Sequence, residues 1–475
     1  MILKSGPLPY IYFYRFSQFL FSRKIKLKDP PISLKDGHLY YLLTEERKRQ
    51  EASLDLSLNS NIMSRATTDC LSSPLDNISS SGFPGFRLYK GNQIIDKIEQ
   101  ICQTRALNLF NLSPDEWGVN VQPYSRSYAN FAAINALLEV DQKIMYLIPP
   151  YGDVSHGFKI GKMCASGASK YYITYPYVTY KDNGNINHNE CKKLISEFMP
   201  NLLICGYSAY PRNFDYEKFK DYSRICKAFL MADISHSCGM IISGEYQSPF
   251  PFCDVVTMAG NFALRGPPCG LIFYRKESLI EKIKLEDKIN YSIFPMIQGS
   301  PHNSFTAALA TQLLEAQTKE YKDTVKLAKR NAQILSNFLI DKGFDLITNG
   351  TDNHIILINT YNTYFKGIEV MILLENINIL VDRFHIPRNQ DSNQISGICI
   401  NMLPITYRKC TPYQVESIGY IISETMKIAK MIKFEYQTFK KYLISTIIET
   451  PEFSIFKTNV ENIAKSLHFP KFQSY

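Results

Sequence analysis

Three polar groupings in this chain have residue types and spacings suited to chemistry. Asp233 and His236 stand three residues apart in Asp-Ile-Ser-His, at the end of a predicted strand. A carboxylate and an imidazole placed there can meet a ligand; the plainer alternative is a buried hydrogen-bonded pair that steadies the strand end. Ser125 and Ser127 flank Arg126 where a helix is predicted to begin, and the free amides of a helix start favour an anion. Ser208 lies in Gly206-Tyr-Ser-Ala-Tyr210, at the end of another predicted strand. A fourth stretch, Cys253 to Arg275, reads as a buried strand, a short turn and a second buried strand. Its turn, Asn261-Phe-Ala263, carries no amine, thiol or hydroxyl. Lys276, 14 residues past Phe262, is placed beyond the second strand and at its far end.

The elements that position these groups follow from hydrophobic pattern. Short apolar runs occur at Ile144–Ile148, Tyr171–Tyr175, Asn201–Cys205, Phe229–Ala232, Val255–Thr257 and Gly270–Tyr274, as expected of strands buried on both faces. Helical intervals at Ala129–Glu139, Glu190–Phe198 and Tyr216–Lys227 separate most of them. Such alternation predicts an α/β fold with a mostly parallel sheet covered by helices. One long helical pattern runs from Asn303 to Lys342 and stops at Gly343. Strands at Asp345–Thr348, His354–Asn359 and Ile377–Val381, then helices from Pro412, predict a smaller α+β domain. The expected division is a transit segment at 1–30, an arm with one early helix at 31–90, a large α/β domain at 91–302, a small C-terminal domain at 303–434 and a helical extension at 435–475.

Composition narrows the class. The chain has 475 residues, 45% hydrophobic and 20% charged, which suits a globular protein of two domains. Its net charge of +9 could attract folate polyglutamates or RNA, but a generic basic surface is the better account. The eleven cysteines are scattered, without Cys-x-x-Cys or close Cys/His pairs, so neither a metal site nor a disulfide framework is expected. Residues 1–28 contain six basic and no acidic side chains around the aromatic run Tyr10–Phe21. The run is too short and too interrupted to span a membrane, and the segment reads best as an organellar transit segment, mitochondrial first, the alternative being an untargeted basic arm.

Several stretches, taken in order, resemble the serine hydroxymethyltransferases, pyridoxal-phosphate enzymes that move a carbon between serine and tetrahydrofolate. Gly82-Phe-Pro-Gly-Phe-Arg87 resembles the family's Gly-Tyr-Pro-Gly-x-Arg. Asn120-Val-Gln-Pro-Tyr-Ser-Arg-Ser-Tyr-Ala-Asn-Phe131 resembles its Asn-Val-Gln-Pro-(His/Tyr)-Ser-Gly-Ser-x-Ala-Asn. Phe294–Asn303 and Thr351-Asp-Asn-His354 fill two more landmarks, and Leu264-Arg-Gly-Pro267 a further one. The resemblance covers residues 55–430. It implies the type I (aspartate aminotransferase-like) fold of pyridoxal-phosphate transferases, and a dimer whose sites draw on both subunits. It also implies cofactor contacts at Ser125, Ser127, Ser208, Asp233, His236 and Gly299, with Asp233 pairing with the pyridine nitrogen.

The departures all fall on chemistry. The lysine that carries the cofactor as a Schiff base corresponds to Phe262, the glutamate that handles protons to Ser60, and the arginine that clamps the substrate carboxylate to Cys399. The ring-stacking histidine corresponds to Asp153, a phosphate-cup glycine to Arg126, and two tyrosines to Ile62 and Ser79. Losing the clamp costs roughly 2–5 kcal/mol of carboxylate binding. Losing an acid or base costs about 10²–10⁴ in rate. No catalytic residue is therefore expected intact, and covalent cofactor attachment is not expected. The expectation is an impaired homologue acting as a partner or binding protein, as a homodimer or with an active paralogue. The alternative is an active or weakly active glycine hydroxymethyltransferase.

Overall fold

A computed structural model describes residues 30–149, 151–160, 163–180, 183–280, 282–360, 363, 365–386, 397–435 and 447–470. Of the transit segment expected at 1–30, residues 1–29 lie outside the described set. The helix Gly37–Glu51 belongs to a separate unit; Asp36 caps it by accepting from Leu39 N at 2.9 Å. Residues 53–470 form the other unit. Among the described residues, no helix is long and apolar enough to cross a membrane.

The main sheet has seven strands: β1 (Trp117–Asn120), β2 (Lys143–Leu147), β3 (Ile173–Tyr177), β4 (Leu202–Gly206), β5 (Phe229–Asp233), β6 (Val255–Ala259) and β7 (Gly270–Arg275), in the order β1-β7-β6-β5-β4-β2-β3. Strands β6, β5, β4, β2 and β3 run parallel, and β7 is antiparallel to both β6 and β1. The six expected strands are present. The second of them, observed as β3, begins two residues late because Gly167–Tyr171 is helical, capped by Ser166. Edge strand β1 is additional.

Alternation along the strands divides the core into two layers. Met145, Leu147, Leu203, Cys205, Leu230 and Ala232 face one layer, with apolar faces of α1 (Gln93–Leu109), α3 (His188–Phe198) and α4 (Tyr216–Cys226). Ile144, Tyr146, Leu202, Ile204 and Met231 face the other, where α2 (Arg126–Leu137) contributes Ala129, Ala132, Ala133 and Ile134. The small alanines let α2 lie close to the sheet, which fixes where its N-terminus points.

The long pattern from Asn303 is two helices, not one: α5 (Asn303–Ala316) and α6 (Lys319–Asp341). Thr318 is extended and caps α6 by accepting from Tyr321 N, so a cap interrupts an otherwise unbroken apolar stripe. Gly343 then ends the run with φ +84°. A second sheet of β8 (Asp345–Leu346), β9 (Ile355–Asn359), β10 (Asp382–Phe384) and β11 (Gly397–Asn401), ordered β8-β9-β11-β10, is antiparallel. Its core includes Ile356, Ile358, Ile398 and Ile400, with residues of α6, α7 (Pro412–Glu435) and α8 (Pro451–Ser466). Leu54 and Leu56 join that core, and Leu54-Asp55 pairs in parallel with Ile379-Leu380. Burying two leucines contributes roughly 1.5–3 kcal/mol each. Part of the stretch read as an arm is thus packed into the core.

Candidate functional site

The polar groups converge at the C-terminal edge of the parallel strands, the usual crevice of an open α/β sheet. Asp233 ends β5, Gly206 ends β4, Asn261-Phe262-Ala263 follow β6, and the N-terminus of α2 approaches from Ser125. Gly270 permits that approach: a Cβ there would stand 2.5 Å from Ser125 O and 2.9 Å from the Ala129 Cβ.

Asp233 is buried and saturated by protein donors. Its Oδ2 accepts from Asn130 Nδ2 at 2.8 Å and from His156 Nε2 at 3.0 Å; its Oδ1 accepts from Ser235 N at 3.0 Å and Ser235 Oγ at 2.5 Å. Burial pushes the carboxyl up, but the His156 hydrogen bond, the Arg126 charge and the Ser235 hydroxyl outweigh it and hold it well below the carboxylate range. An ionised carboxylate only accepts, so His156 Nε2 carries the shared hydrogen. Gly206 makes room, because a Cβ there would lie 2.7 Å from Asp233 Cβ and 2.9 Å from His156 Cε1. Asn130 is oriented in turn by Thr257 Oγ1, which donates to its Oδ1 at 2.6 Å.

The alternative of a hydrogen-bonded Asp233–His236 pair is corrected: the imidazole partner of Asp233 is His156. His236 instead stacks on Phe262, with centroids 4.7 Å apart and rings inclined by 14°. Burial, aided by the nearby Arg126 charge, drives its pKa well below the ordinary histidine value. Phe262 holds φ +49° and Arg265 φ +75°, so the turn keeps a left-handed geometry unfavourable to a bulky residue. Asn61 Nδ2 donates to Phe262 O at 2.5 Å, and Arg265 Nε donates to Ile62 O at 2.6 Å. These bonds bring the segment bearing Ser60 to the turn.

Arg126 and Asp153 answer one another. A guanidinium nitrogen of Arg126 pairs with Asp153 Oδ2 and lies 3.4 Å from Ser208 Oγ, while the Arg126 Cζ stands 5.1 Å from the Phe262 ring centroid. Asp153 also accepts from Ser208 Oγ at 2.7 Å and Ser155 N at 2.9 Å. Burial raises its carboxyl, but the charges of Arg126 and His156 prevail and bring it to about 2. The sequence offered Arg126 and Asp153 as separate losses; in the fold they form one latch.

The other expected positions are dispersed. Ser125 caps α2, its Oγ accepting from Tyr128 N at 3.4 Å, while Ser127 and Gly299 are exposed. Ser79 is exposed, with its hydroxyl 3.5 Å from that of Ser81. Cys399 lies buried in β11, across from Asp382 in the register, and burial pushes its thiol up. Lys276 sits at the far end of β7, its N–H bonded to Glu116 O. Sequence reading missed His156 and Asn130 as partners of Asp233. A signal for the second was available: an amide inside the apolar run Ala129–Ile134 needs a buried partner.

A phosphorylated ring aldehyde needs an amine, a flat neighbour, a free carboxylate edge and close backbone approach at the phosphate. Phe262 has no amine, Asp153 has no ring, four protein donors occupy Asp233, and the Arg126 side chain crosses between Asp153, Ser208 and Phe262. These residues do not fit that group.

A profile of the family "Serine hydroxymethyltransferase" matches residues 32–422. The chain is 39% identical over 407 residues to a mitochondrial serine hydroxymethyltransferase of Kluyveromyces lactis, covering 84% of this chain and 82% of that one. It is 36% identical over 416 residues to the mitochondrial protein of Saccharomyces cerevisiae, covering 86% and 85%. It is 37% identical over 403 residues to a cytosolic one of Encephalitozoon cuniculi, covering 84% and 87%.

Proposed function

The chain belongs to the serine hydroxymethyltransferase family, and from that premise we propose that it keeps the family's fold while acting by association rather than turnover. The family is pyridoxal-phosphate-dependent and serves serine–glycine one-carbon metabolism. The observation that carries the reading is the turn after β6, where the Phe262 ring lies on His236. An aromatic side chain cannot capture an aldehyde, and Ser60 and Cys399 are poor substitutes for an acid–base carboxylate and a carboxylate clamp. The competing reading, a weak glycine hydroxymethyltransferase, draws on the retention of Asp233, His236 and Ser208. It has to contend with an Asp233 already saturated by the protein.

Association is supported by exposed apolar side chains along Gly82–Leu88 and the start of α1: Phe86 is 85% exposed, Leu88 66% and Ile94 63%. A second copy, or an active family member, is the proposed partner. The acid-free basic segment at residues 1–28, with two mitochondrial relatives, supports mitochondrial import. The deciding experiment is a steady-state assay with serine and tetrahydrofolate at high protein concentration. No turnover above buffer is expected, and reproducible turnover would overturn the reading. Sedimentation velocity tests association, a concentration-independent monomer without and with an active family member being the adverse result. Fractionation of cells expressing a C-terminally tagged full chain tests import.

A further inference from the structure

We propose that the Arg126 side chain, latched to Asp153 and lying over Phe262, fills the seat a cofactor ring would take, so that Arg126 itself excludes pyridoxal phosphate. The inference rests on the reading of Asp233, His236 and Phe262 as the family's cofactor positions, and it deepens that reading. Without it, exclusion would be a passive consequence of the missing lysine.

Three observations carry it. First, the partners of the guanidinium are the residues that would surround the ring. Asp153 stands at the stacking position, Ser208 beside it, and Phe262 at the lysine position. Second, the latch is held from several sides. Asp153 is fixed by Ser155 and Ser208, and Phe262 by its stack on His236 and by Asn61 on its carbonyl. Third, Arg126 has little freedom to withdraw, since its side chain is 14% exposed and Ser125 fixes its backbone at the first position of α2. Moving the guanidinium aside would strand Asp153 in a buried setting, which is costly.

The site is therefore closed by its own residues, and restoring an amine at position 262 is insufficient to reopen it. The test compares the full chain with Phe262→Lys, Arg126→Gly and the double variant. Each is incubated with pyridoxal phosphate and measured by equilibrium dialysis and absorbance. Borohydride treatment and peptide mapping then follow. The wild type and Phe262→Lys are expected to release the compound completely. Arg126→Gly should retain it at least roughly tenfold more tightly than the wild type. The double variant should also fix label at position 262. Where loss of Arg126 destabilises the fold, Arg126→Gly/Asp153→Asn/Phe262→Lys removes the stranded charge and is read the same way. Thermal melts confirm which proteins are folded.

The proposal is overturned if Phe262→Lys alone fixes label as fully as the double variant, or if no folded variant lacking Arg126 gains retention. It also falls if the wild type retains the compound while remaining inactive, an outcome that leaves the non-catalytic reading standing. Turnover by the wild type would remove both.

Discussion

Replacing Asp153 with alanine removes the carboxylate facing the Arg126 guanidinium and leaves that cation buried. Breaking one side of a buried pair costs about 3–5 kcal/mol. The carboxyl itself gives a second route to the magnitude. Its fall from 3.8 to about 2 corresponds to ~2 kcal/mol of stabilisation, as an order of magnitude. Because the folded value lies below the unfolded one, this contribution is complete above roughly pH 4 and is lost as pH falls through about 2. Arg126→Ala should cost less, about 1–3 kcal/mol, because Asp153 keeps its bonds from Ser155 and Ser208. The double variant strands no charge, so its loss should fall short of the sum by about 2 kcal/mol. For a chain of 475 residues the entropy of unfolding is about 1 kcal/mol/K, so each kcal/mol moves the melting midpoint by ~1 °C. Thermal scans at neutral pH should therefore show losses of about 3–5 °C for Asp153→Ala and about 1–3 °C for Arg126→Ala. The double variant should recover ~2 °C against the sum. Losses that add to within about 0.5 °C would refute the latch.

Three further outcomes follow from neighbouring contacts. Phe262→Ala removes the ring stacked on His236 and should lower the midpoint by about 3–5 °C, with Phe262→Leu recovering most of it in the same scan. Asn130→Ala deprives Asp233 and Ser155 of a donor and Thr257 of an acceptor, and should cost ~2–3 kcal/mol; Thr257→Val should cost about 1, both measured by denaturant unfolding. Arg87→Met strands the buried Glu99, whose carboxyl burial already raises, at a cost of about 3–5 kcal/mol at neutral pH. That cost should shrink as the pH is lowered and Glu99 protonates; a pH-independent loss would contradict the assignment.

Hydrophobic pattern carried most of the fold because the buried strands are continuous apolar runs and the helices between them are periodic. It failed where periodicity continued through a cap. Nothing in the apolar stripe from Asn303 onward interrupts at Gln317; local bonds set α6 apart, Thr318 Oγ1 accepting from Tyr321 N and donating to Glu315 O. It also missed β1, a four-residue edge strand containing Gly118, against whose Cα the Tyr274 ring packs too closely for a Cβ. The site was legible as positions and illegible as contacts. Arg126 and Asp153 are 27 residues apart and lie on different elements. Each alone reads as damage, since a charge in a buried crevice is unfavourable. Their complementarity exists only once α2 and the loop after β2 are folded against the same edge.

The distinction bears on the proposed loss of chemistry at this site. A site that decays without constraint leaves buried polar groups unpaired, each costing about 1–3 kcal/mol. Here Asp233 has four protein donors, Asp153 has Arg126, Ser155 and Ser208, and the ring at position 262 has a stacking partner. The repacking is incomplete, since one guanidinium nitrogen of Arg126 and Nε2 of His236 are buried without a hydrogen-bond partner. Even so, the strongest charges are matched, and an Asp153 or Arg126 introduced alone would have met a worse environment than either meets now. Stability alone would not require a charged latch, because apolar residues of similar volume could fill the crevice at equal or lower cost. The latch therefore contributes to keeping Asp233 ionised and closes this edge of the sheet with matched charges, as the proposed exclusion of the cofactor requires.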